Sequence, residues 1–323
     1  MRTLLIYTLA IFFLNNAYAQ HKITGVINNT ENQPVPYAQI GILSTSIGCI
    51  TDENGEFTLA LNLNKHLGET FTVSAIGYKS QNIKITKDLT HLSITLQPIT
   101  KVLDPIVINS KGLNLKTYGT KPGIAPGGTS ILSVSGGSAL ALKIYPDQFP
   151  VLVQNVKVNI LENQLKEFQF RIHFFAIDSV TGLPGKDLVN QNLILKSTIQ
   201  KGYVTLDLKP YDITLNQAFY LAVEWVNDSK TKALLQSLIE KPIEWLTGEI
   251  ENNKMVTYDK NGKVLRKVKL TKEQLIELEE RRVPHTIIRT RAASSIKCYF
   301  RRSIYSDWKE YEDVMIAEVE VLN

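Results

Sequence analysis

The sequence predicts an all-β chain built from two consecutive sandwiches. Three observations carry that expectation. Apolar residues recur at every second position in short runs, the period of a half-buried strand. Asn, Asp, Gly and Pro cluster between those runs, as hairpin and loop connections require. Helical periodicity is confined to one short segment near residue 275. A length of 323 residues allows two cores, since one domain takes roughly 100 to 200 residues.

The first runs are Ile23 to Ile27 and Tyr37 to Leu43, separated by the turn-rich Asn28 to Pro36. Thr51-Asp52-Glu53-Asn54-Gly55-Glu56-Phe57 then places Asp, Asn and Gly where a tight turn needs short polar side chains and a residue tolerating positive φ. Phe57, Leu59 and Leu61 alternate out of that turn, and Thr70 to Ile76, Gln81 to Thr86 and Leu92 to Leu96 continue the series. Strands at this spacing indicate a small antiparallel sandwich.

Gly25-Val26-Ile27, Pro34-Val35-Pro36-Tyr37-Ala38, Gly48 with the Thr51 to Phe57 turn, and Ser74-Ala75-Ile76-Gly77-Tyr78 occur in one order across Gln20 to about Pro98. Together they resemble the carboxypeptidase-regulatory-like, or peptidase-associated, domain. The resemblance implies a seven-strand transthyretin-like β-sandwich, of the kind found at the N-terminus of exported Bacteroidetes proteins and of TonB-dependent outer-membrane transporters. Cys49 departs from the family pattern, which has a small residue or Thr there.

Ahead of this region, Arg2, the apolar Leu4 to Leu14 and Ala17-Tyr18-Ala19 form the three parts of a secretory signal peptide, cut after Ala19. The apolar run is shorter than the ~20 residues of a transmembrane helix, so no transmembrane segment is expected after cleavage. From Ile99 to Gly137 the composition turns rich in Gly, Pro, Thr and Ser, and a linker is expected.

The second sandwich opens with Ala139 to Tyr145 and Val151 to Asn159. In the next run Phe168, Phe170, Ile172 and Phe174 face one way, while Gln169, Arg171 and His173 face the other. Ile194 to Ser197, Tyr203 to Leu208 and Phe219 to Trp225 follow, then Thr286 to Thr290, Ile296 to Phe300 and Val314 to Val321. The pattern is jelly-roll-like. Arg171-Ile172-His173, Pro184 to Leu188, Gly202-Tyr203-Val204 and Val223-Glu224-Trp225 resemble a module that commonly follows the first domain in Bacteroidetes proteins, with no known chemistry attached. Between its strands, residues 228 to 284 read as an insertion. It contains an Asn261-Gly262 hairpin and a helix from the Thr271/Gln274 capping box to about Arg282. The expected division is therefore 1–19 signal peptide, 20–98 first sandwich, 99–137 linker and 138–323 second sandwich.

Composition and motifs exclude several functions. The chain carries 36 Lys+Arg against 31 Asp+Glu, a net +5, which becomes +4 without Arg2. Those charges are interspersed, so no nucleic-acid partner is expected. His66 and Glu69 spell an HxxE pair, but no third ligand among His91, His173 or His285 has supporting spacing, so neither a zinc site nor zinc carboxypeptidase activity is expected. Cys49 and Cys298 read as separate buried thiols. The acids of Asp52 to Glu56 could hold a surface calcium ion, although Gly55 comes too early for an EF-hand, and no other cofactor is expected. No nucleophile elbow or phosphate loop occurs, and no catalytic residue is assigned. Aromatic side chains in less regular segments, Trp245, Tyr305 and Trp308, are the candidate ligand-binding residues.

The sequence thus favours an exported, non-enzymatic binding or interaction protein of the cell envelope, in the periplasm or on the outer-membrane surface, with an envelope protein or a glycan as partner. The alternative is a hydrolase of unrecognised type with its site in the second domain, to which His173 or His285 beside a carboxylate would point.

Overall fold

A computed structural model describes residues 21–99, 114–123, 127–133, 135–239, 249–251, 254–258, 264–269, 286–292 and 296–323. The signal peptide, the capping-box helix, Trp245 and His285 lie outside the described residues.

The first sandwich holds seven strands, as the resemblance implies. They are β1 (His21–Asn29), β2 (Gln39–Gly41), β3 (Gly48–Ile50), β4 (Glu56–Leu61), β5 (Thr70–Ser74), β6 (Gln81–Lys84) and β7 (His91–Leu96), with the short helix α1 (Leu63–His66) after β4. One sheet has the order β4-β1-β7, with β1 antiparallel to β4 and parallel to β7. The facing sheet has the order β3-β2-β5-β6. Ile23, Ile27, Phe57 and Leu59 from the first meet Ile40, Phe71 and Val73 from the second in one buried core. The turn before β4 forms as its residues dictate: Asp52 Oδ1 accepts from the Asn54 and Glu56 amides at 3.0 Å each, and Gly55 has φ +74°.

In the stretch expected as a linker, the described residues include two strands, β8 (Leu115–Gly119) and β9 (Gly127–Ser130). Glycine enables this pairing rather than preventing it. Gly119 holds φ +127°, and a Cβ there would sit 2.2 Å from the Ala317 carbonyl oxygen, so the backbones approach this closely only because none is there.

The second sandwich continues with β10 (Ala139–Ile144), β11 (Val151–Asn163), β12 (Phe168–Ile177), β13 (Pro184–Asp187), β14 (Leu193–Ser197), β15 (Gly202–Asp207), β16 (Thr214–Leu215) and β17 (Phe219–Val226). After β17 come helix α2 (Ser229–Ile239) and a separate three-stranded sheet of β18 (Glu249–Glu251), β19 (Lys254–Tyr258) and β20 (Val264–Lys269). β19 and β20 pair antiparallel, while the Asn261-Gly262 turn expected between them lies outside the described residues. The chain then returns through β21 (Thr286–Ala292), β22 (Cys298–Arg301), β23 (Lys309–Tyr311), β24 (Asp313–Met315) and β25 (Ala317–Leu322).

Seven of these strands form one sheet, ordered β13-β12-β17-β10-β22-β23 with β14 also on β12, and eight form the other around β11 and β21. Phe168, Phe170, Ile172 and Phe174 point into the core between the sheets, as their alternation predicts. Cys298 belongs to this core and Cys49 to the first, and both are free buried thiols. Burial pushes them up to about 11 and about 12 respectively.

Candidate functional site: a buried charge cluster at the seam of the two sandwiches

The other face of β12 does not meet solvent. Gln169, Arg171 and His173 are all buried, with Arg171 1% and His173 2% exposed. Strand register explains what they meet. Arg171 stands directly opposite Glu224 on β17, Glu224 opposite Ala139 on β10, and Ala139 opposite Arg301 on β22. The methyl side chain of Ala139 leaves room for Arg301 to reach across to Glu224. Two residues along on the same face, His173, Ala222, Ala141 and Tyr299 form the next row, again small in the middle.

Glu224 has no solvent exposure and collects three cations. Its Oε2 accepts from Arg171 Nε at 2.7 Å, with Arg171 Nη2 2.6 Å away off the hydrogen-bond direction, and faces His173 Nε2 at 3.1 Å. Its Oε1 accepts from Arg301 Nη2 at 2.7 Å. On the far side of the imidazole, Nδ1 lies 2.6 Å from Asp187 Oδ2 on β13. Burial alone would raise the Glu224 pKa, but Arg171, His173 and Arg301 reverse that and hold the carboxyl well below its ordinary range. Burial likewise opposes the charge on His173, yet Asp187 and Glu224 outweigh it and raise the imidazole above its ordinary value. A carboxylate on each nitrogen favours the imidazolium, which can donate at both ends. Arg301 also donates to the Ile304 carbonyl at 3.2 Å, and its guanidinium lies 4.8 Å over the Trp308 ring and 5.7 Å from Phe175.

The first sandwich closes this cluster. Arg171 Nη1 donates to the Tyr37 carbonyl at 2.7 Å, and the Tyr37 hydroxyl donates to Gln169 Oε1 at 3.0 Å. Tyr37 holds φ +58°, a left-handed conformation that costs a residue with a bulky side chain about 1 kcal/mol or more. Thr51 Oγ1 bridges the turn around it, donating to the Val35 carbonyl at 2.9 Å and accepting from the Ala38 amide at 2.8 Å, and the two contacts with β12 brace it from the other side. Around it, the Ile50 amide donates to the Ser135 carbonyl at 2.9 Å, and Ser303 donates to the Thr45 carbonyl at 3.3 Å. Gly41 and Gly48 let the loop after β22 approach closely, since added Cβ atoms would sit 2.7 Å from the Tyr305 ring and 2.9 Å from Ile304.

A second contact lies beside it. Glu53 Oε2 accepts from the Ser229 amide at 2.8 Å and its Oε1 from the Ser229 hydroxyl at 2.5 Å, at the start of α2. Burial raises the Glu53 pKa in part, but the Ser229 hydrogen bonds prevail and lower it. Asp52 Oδ2 faces Lys232 Nζ at 3.2 Å, and Lys232 also donates to the Glu56 carbonyl at 3.0 Å. Asp52 and Glu53, read from sequence as turn residues, thus also dock the turn onto α2.

The residues singled out from sequence fall as follows. Tyr305 is partly buried in the seam with its hydroxyl 2.9 Å from that of Ser74, and Trp308 covers Arg301 and packs edge-on against Phe175. His66 and Glu69 bond one another at 3.0 Å on the surface of the first sandwich, and His91 faces Thr24 Oγ1 at 3.2 Å. Among the described residues, no group of three His, Cys, Asp or Glu side chains is placed to hold a metal ion. His173 does stand beside carboxylates, the arrangement that favours the hydrolase alternative. Neither ring nitrogen is free to take a proton from a substrate, however, because each already faces an acid. Sequence reading did not anticipate Arg171, Glu224, Arg301 and Asp187 as a cluster. The available signal was three charged residues at strand positions otherwise set for burial.

Two β-sandwiches sharing a closed polar seam define a mainly-β, modular architecture in which the first unit is bound to the second. That first unit is a CarboxypepD_reg-like domain, whose family model matches residues 23–108. The TonB-dependent receptor SusC of Bacteroides thetaiotaomicron is 30% identical over 112 residues, 34% of this chain, and the match spans a tenth of that receptor's length. A crystal structure of a variant of BcpA, the major pilin subunit of Bacillus cereus, aligns with 92% of this chain and 68% of its own at 12% identity, with a TM-score of 0.17.

Proposed function

We propose that this protein is an exported, non-enzymatic binding or interaction module of the cell envelope, working in the periplasm or on the outer-membrane surface with an envelope protein or a glycan as its partner. The observation that carries the reading is the CarboxypepD_reg-like domain, together with the similarity of a third of the chain to part of a TonB-dependent receptor. The seam adds to it: among the described residues, the buried cluster of Arg171, His173, Glu224 and Arg301 meets the first sandwich through Tyr37. A domain held this way presents its remaining surface, and that of its neighbour, in fixed relative orientation, which suits recognition of a large partner.

The hydrolase reading has one observation in its favour, the 2.6 Å contact of His173 with Asp187. Against it stand the burial of the imidazole and the Glu224 carboxylate on its second nitrogen. Cell fractionation and affinity capture test the proposal together. The expected outcome is recovery with the envelope and retention of a specific envelope protein or glycan, with no turnover of ester, peptide or glycoside substrates. Turnover that disappears in Asp187→Asn would replace the proposal with the hydrolase reading.

A further inference from the structure

We infer that His173 is a proton-dependent pin for the seam: its protonated ring holds Glu224 and Arg171 in the position that clamps Tyr37, and loss of that proton loosens the first sandwich from the second. The inference concerns the coupling of the two domains and stands apart from the proposed envelope role.

The geometry supplies the mechanism. Glu224 Oε2 is shared by His173 Nε2 and Arg171 Nε, and Arg171 in turn reaches the Tyr37 carbonyl. A neutral imidazole has one proton for two carboxylates. The shorter contact, to Asp187 at 2.6 Å, retains it, and Nε2 then turns a lone pair toward Glu224 Oε2 at 3.1 Å. Two acceptors at that distance in a buried site repel. Glu224 leaves the ring by moving the guanidinium bound to the same oxygen, and that guanidinium is the one that holds the Tyr37 carbonyl across the seam.

The groups around the ring come from every neighbouring element. Arg171 shares its strand, Asp187 lies on β13, Glu224 on β17 and Arg301 on β22. Asn192 approaches Arg171 Nη1 at 3.5 Å, Phe175 stacks on the imidazole at 4.8 Å, and Tyr37 and Tyr305 face the two arginines from the seam. With His173 charged, three cations meet two anions, so losing its proton leaves the pairs balanced in number but misplaced. The sign follows from the raised pKa. The contribution is complete below the ordinary imidazole value of about 6.5 and is lost as pH rises through the higher value of the folded protein.

The test reads the Ile50 amide, which crosses the seam to Ser135, against the Val35 amide, which donates to Ile27 within the first sandwich at 2.8 Å. Hydrogen exchange of the full chain, corrected for intrinsic rates, should show the protection ratio of Ile50 to Val35 falling severalfold as pH rises through the His173 titration. The fall should coincide with loss of the imidazolium seen by nitrogen NMR of His173. Asp187→Asn removes one neighbouring anion and should move that midpoint to lower pH. A ratio that stays constant while His173 titrates would overturn the inference, as would a fall with the same midpoint in Asp187→Asn. If the variant does not fold, the wild-type profile alone decides between these outcomes.

Discussion

The two faces of the seven-stranded sheet bury comparable numbers of side chains by opposite chemistry. Toward the eight-stranded sheet, β12 presents Phe168, Phe170, Ile172 and Phe174, and contacts there are apolar and tolerant of small shifts in angle. Toward the first sandwich, the same strand presents Gln169, Arg171 and His173, each bound at a defined distance to a named partner. The apolar face supplies stability in proportion to area. The charged face contributes less net stability, because desolvation offsets attraction, but it admits one docking geometry. The difference teaches that this sheet serves as the core of one domain and the socket of another.

Perturbations of each face sharpen that contrast, from the largest effect to the smallest. Glu224→Gln leaves three buried cations without their shared anion and should lower stability by about 3–5 kcal/mol in denaturant titration. Replacing the set with apolar residues of similar volume, Arg171→Met, Glu224→Leu and Arg301→Met together, should restore most of that stability while abolishing protection of the Ile50 amide. Equal loss in both variants would mean that the charges hold the fold rather than the docking geometry. On the inner face, Ile172→Val removes one methyl group and should cost about 0.5–1.5 kcal/mol by thermal melting, with the seam unaffected. Glu53→Ala removes the acceptor at the start of α2 and should cost about 1 kcal/mol, read as increased exchange of the Ser229 amide. Lys297→Ala breaks only an exposed pair with Glu310 and should leave the melting temperature unchanged within error.

Much of the fold was legible because its signals are local. Alternation placed the β12 phenylalanines in the core, and Asp52, Asn54 and Gly55 specified their turn. The Gly-rich stretch misled because glycine marks both linkers and strands under close backbone approach, and only the partner strand distinguishes them. Helix α2 went unread although Asp228 caps it, accepting from the Thr231 amide at 2.6 Å, and Leu235 anchors it. Its start coincides with the end of a strongly apolar strand, which hid the change of period. The charge cluster was the least legible part. Glu224 lies 53 residues from Arg171 and 77 from Arg301, and nothing in sequence announces that β17 falls between β12 and β10. Alternation gave the direction of each side chain, whereas register alone gave its neighbours.

The account rests on His173 being a structural cation rather than a catalytic base. Nitrogen NMR of the imidazole in the intact protein at pH 7 tests this most directly. Two protonated ring nitrogens, each hydrogen-bonded to a carboxylate, are the predicted result; a neutral ring with one unprotonated nitrogen would contradict it and return the site to the hydrolase reading.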